Sequence, residues 1–349
     1  MPPKKILIIG SFYHPANKNH SVTAAEQLAA ILKKHHVDVI TTTRQYKKIP
    51  KLIATVYAIL VCSRHYDIAV VPLYGTPMSF IWQSVSVQVL KLLKKKVVLV
   101  VHGGSIPEQV EHGQTKFIKT LHRANAVVCP SPYMQTFLSG KGIQSTVIEN
   151  GLDLSSYPHQ QKTIFRPHVL WMRSFSDTYN PEMAVRVAII LAQKYPDFKM
   201  VMAGTDGGTL QRIVNMIQLN QLDQVISLPG YLDHAQKIKC AEACDIYIST
   251  NRIDNAPVSL IEFMALGLPI VAVNTGGIPY LIKDGYNGLL TDPEDAEGMA
   301  KKIDMLIGHP ELSKTICGNA YAYSAHYGEE AVFIKWQKLF GELNKNRSH

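Results

Sequence analysis

The densest run of potential chemistry in the chain is Asp254-Asn255-Ala256-Pro257-Val258-Ser259-Leu260-Ile261-Glu262, two carboxylates separated by seven residues. A strand-like segment ends near Thr250, a loop follows, Pro257 reads as a first helical residue, and Gly267 ends the helix before another strand at 269–273. The free N–H groups at such a helix start attract phosphate or sugar hydroxyls. Glu262, about two helical turns beyond Asp254, can accept hydrogen bonds from a ribose diol. The plainer reading makes Asp254 a favourable charge at a helix N-terminus and Glu262 a solvated helix residue.

Two further residues stand at strand ends. Arg173 follows the run 169–172, where a guanidinium can clamp a diphosphate with paired donors, the alternative being a surface arginine. His102 follows 97–101 in His102-Gly103-Gly104-Ser105, an imidazole beside a flexible turn, the alternative being a structural histidine. No Asp-x-Asp occurs in the chain, which removes the usual carboxylate pair for holding a divalent metal against a diphosphate, so neither metal nor cofactor is expected. Thr23 and Glu26 fit a capping box.

The elements that must position these residues follow one rhythm. In the first half, Val- and Ile-rich runs at 6–9, 38–42, 68–72, 97–101, 126–129 and 146–148 alternate with helix-like stretches such as 24–34. In the second, runs at 169–172, 199–203, 224–228, 246–249 and 269–273 alternate with stretches such as 181–194. Each half predicts a parallel α/β sheet with helices on both faces, and a polar stretch at 150–166 breaks both patterns. The expected division is 1–155, 156–328, and an amphipathic terminal helix and tail at 329–349. In open parallel sheets ligands bind beyond the carboxyl ends of the strands, so two such domains facing each other imply a cleft.

Composition agrees with two compact domains: 349 residues, 46% hydrophobic and 18% charged. The longest apolar stretch, 52–62, is interrupted by Thr55 and Tyr57 and falls short of the roughly 18–20 residues needed to cross a bilayer. The apolar run at 6–9 is too short for a signal peptide. Five widely spaced cysteines suggest neither a zinc site nor a disulfide framework, and a reducing cytoplasm is expected. The net charge of +9 is uneven: residues 1–155 carry +11 (18 Lys and Arg against 7 Asp and Glu) and residues 156–349 carry −2 (18 against 20). The basic half therefore expects an anionic partner, a membrane surface or a substrate. Nucleic acid is not expected, because no recognised module accompanies the charge. Arg44, Lys47, Lys48 and Lys51 precede a mostly apolar helix and could face anionic lipid on the inner side of a membrane, or form a solvated helix end. For Lys94-Lys95-Lys96, directly before a strand, the solvated end is the expectation.

The acid-x7-acid pattern, followed by Phe263-Met264-Ala265-Leu266-Gly267-Leu268-Pro269, Gly276-Gly277-Ile278-Pro279 and Asp284-Gly285-Tyr286-Asn287-Gly288, resembles the retaining glycosyltransferases of family 4. Glu149-Asn150-Gly151-Leu152-Asp153 and Leu228-Pro229-Gly230-Tyr231-Leu232 extend the resemblance, which runs through most of the second half and weakens in the first. It implies a GT-B type fold of two Rossmann-like domains facing across a cleft. A nucleotide diphosphate-sugar of the UDP or GDP type would be held mainly by the second domain, and a glycan or glycolipid acceptor mainly by the first. Carried over by position, Asp254 becomes the acid near the donor sugar, Glu262 the ribose acid, and Ala256, Pro257, Val258 and Ser259 the lining of phosphate and hexose. Gly230 and Tyr231 join the donor side, Arg173 the phosphate, His102 the reacting sugar, and Gly103, Gly104 and Ser105 the acceptor-side loop. The chain departs from the pattern in several places. Its first acid is Asp rather than the commoner Glu, Pro257 offers no N–H, Thr178 and Tyr179 stand where a second cation is usual, and Tyr280 replaces a glutamate.

The reading that results is a metal-independent retaining transfer of a sugar to a hydroxyl in cell-surface glycan or glycolipid synthesis. By resemblance, attack comes on the face the phosphate leaves, and the phosphate takes the acceptor proton. A sugar-nucleotide epimerase or phosphorylase on the same fold, or a non-catalytic glycan-binding or partner subunit, are the alternatives.

Overall fold

A computed structural model of the chain describes residues 5–12, 23–45, 47–74, 77–104, 106–112 and 115–345. They divide into two units, Met1–Leu152 with Tyr327–His349, and Asp153–His326.

The first unit runs β1 (Lys5–Ser11), α1 (Ala24–Lys34), β2 (Val39–Thr43), α2 (Lys48–Val61), β3 (Tyr66–Leu73), α3 (Pro77–Leu92), β4 (Lys96–Val101), α4 (Ile106–Glu111), α5 (Thr115–Leu121), β5 (Ala126–Cys129), α6 (Pro132–Gly140) and β6 (Thr146–Val147). Its sheet is parallel, in the order β2-β1-β3-β4-β5-β6. Side chains alternate across a strand, so Leu7 and Ile9 enter one core while Ile6 and Ile8 enter the other. A strand buried on both faces must be apolar throughout, which is why 6–9 reads as an unbroken run. The capping box expected of Thr23 and Glu26 opens α1, with both reciprocal bonds made.

The second unit runs β7 (His168–Met172), α7 (Pro181–Lys194), β8 (Lys199–Ala203), α8 (Leu210–Leu219), β9 (Ile226–Gly230), α9 (His234–Ala243), β10 (Ile246–Ser249), α10 (Val258–Leu266), β11 (Ile270–Val273), α11 (Ile278–Leu281), β12 (Leu289–Thr291), α12 (Ala296–Gly308) and α13 (Pro310–Ser324). Its parallel sheet is ordered β12-β11-β10-β7-β8-β9, the Rossmann order, in which the succession of strands changes direction between β7 and β10. Trp171 and Phe175 fill the core on one side, and the Trp171 indole is satisfied by Thr250 Oγ1 at 2.9 Å.

The chain divides at Leu152 rather than 155, and the terminal helix is no separate segment. That helix, α14 (Glu329–Lys345), belongs to the first unit. Val332, Trp336, Leu339, Phe340 and Leu343, at helical spacing, bury themselves with Ile6, Ile8, Leu28 and Ile31. Backbone bonds from Leu152 N to Tyr327 O (2.8 Å) and Glu329 N to Leu152 O (3.2 Å) pin the return of the chain. Among the described residues no helix is long and apolar enough to cross a membrane.

Candidate active site

Parallel sheets bind ligands where neighbouring strands send their connections to opposite faces, and in the second unit that point lies between β7 and β10. Arg173 directly follows β7, and the loop carrying Asp254 follows β10. Their side chains meet: Arg173 Nη2 donates to Asp254 Oδ2 at 2.6 Å, and Nη1 donates to Ser259 Oγ at 3.1 Å. Asn251 Nδ2 also donates to Asp254 Oδ2, at 2.9 Å. The guanidinium lies over Tyr179, 4.0 Å from the ring centroid, so the residue at the position expected of a second cation is instead a platform for the first. Both side chains are only about 15% exposed. Burial pushes the Asp254 carboxyl up, against the pull of Arg173 and the Asn255 and Ala256 amides. Arg173 Nε and Asn251 Oδ1 are buried without a hydrogen-bond partner among the described residues, which leaves polar capacity at this point for a ligand.

The loop is braced from behind. Gly277 N donates to Asp254 O at 2.7 Å, and a Cβ on Gly277 would stand 1.7 Å from Asn255 O. Gly276, at φ +55°, would bring a Cβ within 2.3 Å of Asp254 O. These glycines do more than make a turn: only their lack of a side chain lets the two loops touch. Arg252 anchors the other flank, bonded through its N to Thr178 O at 2.8 Å and through Nε to Glu294 at 2.9 Å.

Pro257 corrects the expected helix start. It is the N-cap, with φ −70° and ψ 103°, and α10 begins at Val258. The cap supplies neither a side-chain acceptor nor an N–H, and Ser259, in the first turn, holds Arg173 instead. Gly267 closes α10 in the left-handed region (φ +84°), as expected.

Glu262 is not the solvated helix residue of the plainer reading. Most of α10 is buried, and Glu262 Oε1 there accepts from Lys237 Nζ and Tyr157 OH, each at 2.7 Å. Burial, then the Glu262 charge, drives the Tyr157 hydroxyl pKa well up, so it stays a donor. Lys237 and Tyr157 escaped the sequence reading, since nothing local marks a residue 25 or 105 positions away as a partner. Gly230 ends β9 at φ +78° and accepts from Gly204 N at 2.8 Å, and Tyr231 beside it is exposed. Ala256 and Val258 flank the cap.

In the first unit, His102 follows β4 and its N–H bonds Leu73 O at 3.0 Å. The ring stacks on Tyr74 and faces a cavity shared with Gln27, Glu149, Asn150 and Trp336. Burial lowers its pKa to about 4, so the imidazole is neutral at pH 7. Gly103 and Gly104 follow it, while Ser105 and most of the stretch from Gly10 to Thr23 lie outside the described residues. Among the described residues no group of three or more His, Cys, Asp or Glu is placed to hold a metal ion.

Residues 160–323 match the family model for glycosyl transferases group 1. An uncharacterised glycosyltransferase of Methanocaldococcus jannaschii is 25% identical over 260 residues, 72% of this chain and 71% of its own length. The poly(ribitol-phosphate) alpha-N-acetylglucosaminyltransferase of Staphylococcus aureus is 28% identical over 161 residues, 46% of this chain and 32% of its own. Anabaena HepE, solved in complex with UDP and glucose, has the same fold at a TM-score of 0.73 and 20% identity, over 97% of this chain and 99% of that one. The fold class is therefore GT-B, two Rossmann-like parallel sheets, and the group-level match is broader than the retaining family 4 of the resemblance. By sequence, residues 160–323 are thus similar to the glycosyl transferases group 1, and by architecture the chain has the GT-B fold.

Proposed function

We propose that the chain is a retaining glycosyltransferase of the hexosyltransferase type. It moves a sugar from a UDP- or GDP-type donor to a hydroxyl of a glycan or glycolipid in cell-surface glycan synthesis, without a metal ion. The observation that carries this reading is the half-buried Arg173 guanidinium, held by Asp254 and Ser259 at the strand switch point. As the glycosidic bond breaks, charge grows on the departing diphosphate, and a preorganised cation stabilises it where solvent is excluded. Glu262, oriented by Lys237 and Tyr157, accepts from the ribose hydroxyls, and Asp254 lies beside the sugar. Ala256, Pro257, Val258 and Ser259 line phosphate and hexose, with Gly230 and Tyr231 on the donor side. Because Pro257 donates no N–H, phosphate binding leans on Arg173 and Ser259. The new C–O bond forms on the face from which the phosphate leaves, and the acceptor proton passes to a phosphate oxygen. In the first unit, the neutral His102 and the turn Gly103, Gly104 and Ser105 serve the acceptor side. The enzyme acts in the cytoplasm, peripheral to the inner face of the membrane. The UDP and glucose of HepE, and the polymer acceptor in the staphylococcal relative's name, support donors and acceptors of these kinds.

Donor binding by calorimetry and transfer rates together test the assignment. Glu262→Gln should raise the donor Kd with a smaller change in kcat, and Asp254→Asn should lower kcat with little change in Kd. Near wild-type binding and turnover in both variants would overturn it.

A further inference from the structure

The outward face of α2 carries five large apolar side chains in open solvent: Ile49 (72% exposed), Ile53 (65%), Tyr57 (66%), Leu60 (49%) and Val61 (56%). At about 100° per residue these positions share one side of the helix. Scattered exposed apolar residues need no explanation, but a contiguous stripe of five marks an interaction surface. The helix cannot roll to hide it, because its opposite face is fixed by polar bonds. Trp82 Nε1 donates to Thr55 Oγ1 at 3.0 Å, and Tyr66 OH donates to Ile59 O at 3.0 Å, with Thr55 and Ile59 fully buried.

Charge identifies what covers the stripe. From residue 39 to residue 107 Asp67 is the only acid, against nine Lys and Arg. Arg44, Lys47 and Lys48 are exposed at the start of α2, and Arg64 is exposed just past its end. The other basic residues named in the sequence divide differently. Lys51 lies over the Trp82 ring, 3.7 Å from its centroid, and Lys95 Nζ donates to Tyr66 O at 2.8 Å, so neither belongs to this rim. A second copy of the chain packed on the stripe about a twofold axis would set two basic rims against each other. A bilayer with anionic headgroups satisfies both features at once: acyl chains take the apolar side chains, and phosphates take the cations.

We propose that α2 is a membrane-docking helix. Ile49, Ile53, Tyr57, Leu60 and Val61 enter the acyl boundary of an anionic bilayer, while Arg44, Lys47, Lys48 and Arg64 rest among its headgroups. This deepens the membrane-peripheral part of the proposed function, and it adds apolar insertion to what charge alone would give. The test is co-sedimentation of the full chain with vesicles of phosphatidylcholine alone or mixed with phosphatidylglycerol, at low and high salt. Wild type should pellet with the mixed vesicles only, and part of the bound fraction should survive high salt, since screening weakens charge contacts and leaves apolar ones. Ile53→Asp/Tyr57→Asp should cut partitioning at least tenfold at either salt. Lys47→Glu/Lys48→Glu should cut it at low salt. The melting point and the melting shift produced by UDP, measured on each variant, should match wild type. Vesicle binding unaffected by Ile53→Asp/Tyr57→Asp, or equal binding to neutral vesicles, overturns the proposal. So does a wild-type dimer that this variant converts to a monomer, which would make the stripe a self-interface. Failure of the wild-type chain to respond to any nucleotide diphosphate counts against the glycosyltransferase reading and leaves the vesicle result standing.

Discussion

Arg173 owes its position to the residues around it: Asp254 and Ser259 hold its two terminal nitrogens, and the Tyr179 ring lies beneath the guanidinium carbon. Arginine suits this role better than lysine because its planar fork bonds two partners at once. With Tyr179 occupying the position of a second cation, Arg173→Ala should lower the transfer rate at least tenfold, about 1.4 kcal/mol of transition-state stabilisation. It also leaves Asp254 buried without its cation, so the melting point should be recorded with the rate. His102 gives a prediction in pH. The unfolded chain protonates this ring near its ordinary value of about 6.5, whereas the folded protein does so only near 4. Between these values the unfolded state binds more protons, so its contribution is whole above about 6.5 and lost as pH falls toward 4. Denaturant melts across that range should show the loss, up to about 3 kcal/mol, and His102→Gln should flatten it. An unchanged slope in the variant would assign the pH dependence to other groups.

Each element around the switch point is shaped by a contact that a side chain would forbid or a cap that a proline alters. The turn at Gly276 and Gly277 supports the Asp254 loop by backbone contact alone. A methyl group on Gly277 would meet the Asn255 carbonyl, a backbone atom that cannot swing aside, so the loop itself must shift. Gly277→Ala should therefore lower turnover at least tenfold, since misplacement of about 1 Å is costly at a reacting centre. Thermal melts should show a stability loss of about 1–3 kcal/mol from the forced packing. Turnover close to wild type would mean the loop does not need its present position. The helix α10 illustrates another constraint. It is buried on nearly every side, and the one acid within it persists because Lys237 and Tyr157 come from elsewhere in the unit.

At the scale of the whole molecule, two parallel sheets of similar construction lie in one chain, the second with the Rossmann order and the first with its last helix supplied from the C-terminus. The absence of Asp-x-Asp from the whole sequence predicts that transfer persists in excess EDTA. Activity abolished by the chelator and restored only by manganese or magnesium would require a metal site. By itself, the sequence determined what depends on neighbours a few residues apart. The alternation of elements, the doubly buried strands, the Thr23–Glu26 cap, the Gly267 stop and the Asp254–Glu262 spacing could all be read from local periodicity and stereochemistry. Only the tertiary structure decided which distant residues meet. Arg173 and Asp254 are 81 residues apart, and their contact exists because β7 and β10 are adjacent in the sheet, an order that periodicity does not encode. The Lys237 and Tyr157 bonds to Glu262, and the return of α14 to the first unit, depend on long-range topology in the same way. For α2 the limit is sharper still: apolar residues on two sides of a helix cannot say which side the core will take. Here the bonds of Thr55 and Ile59 chose the inner face and left Ile49, Ile53 and Tyr57 outside.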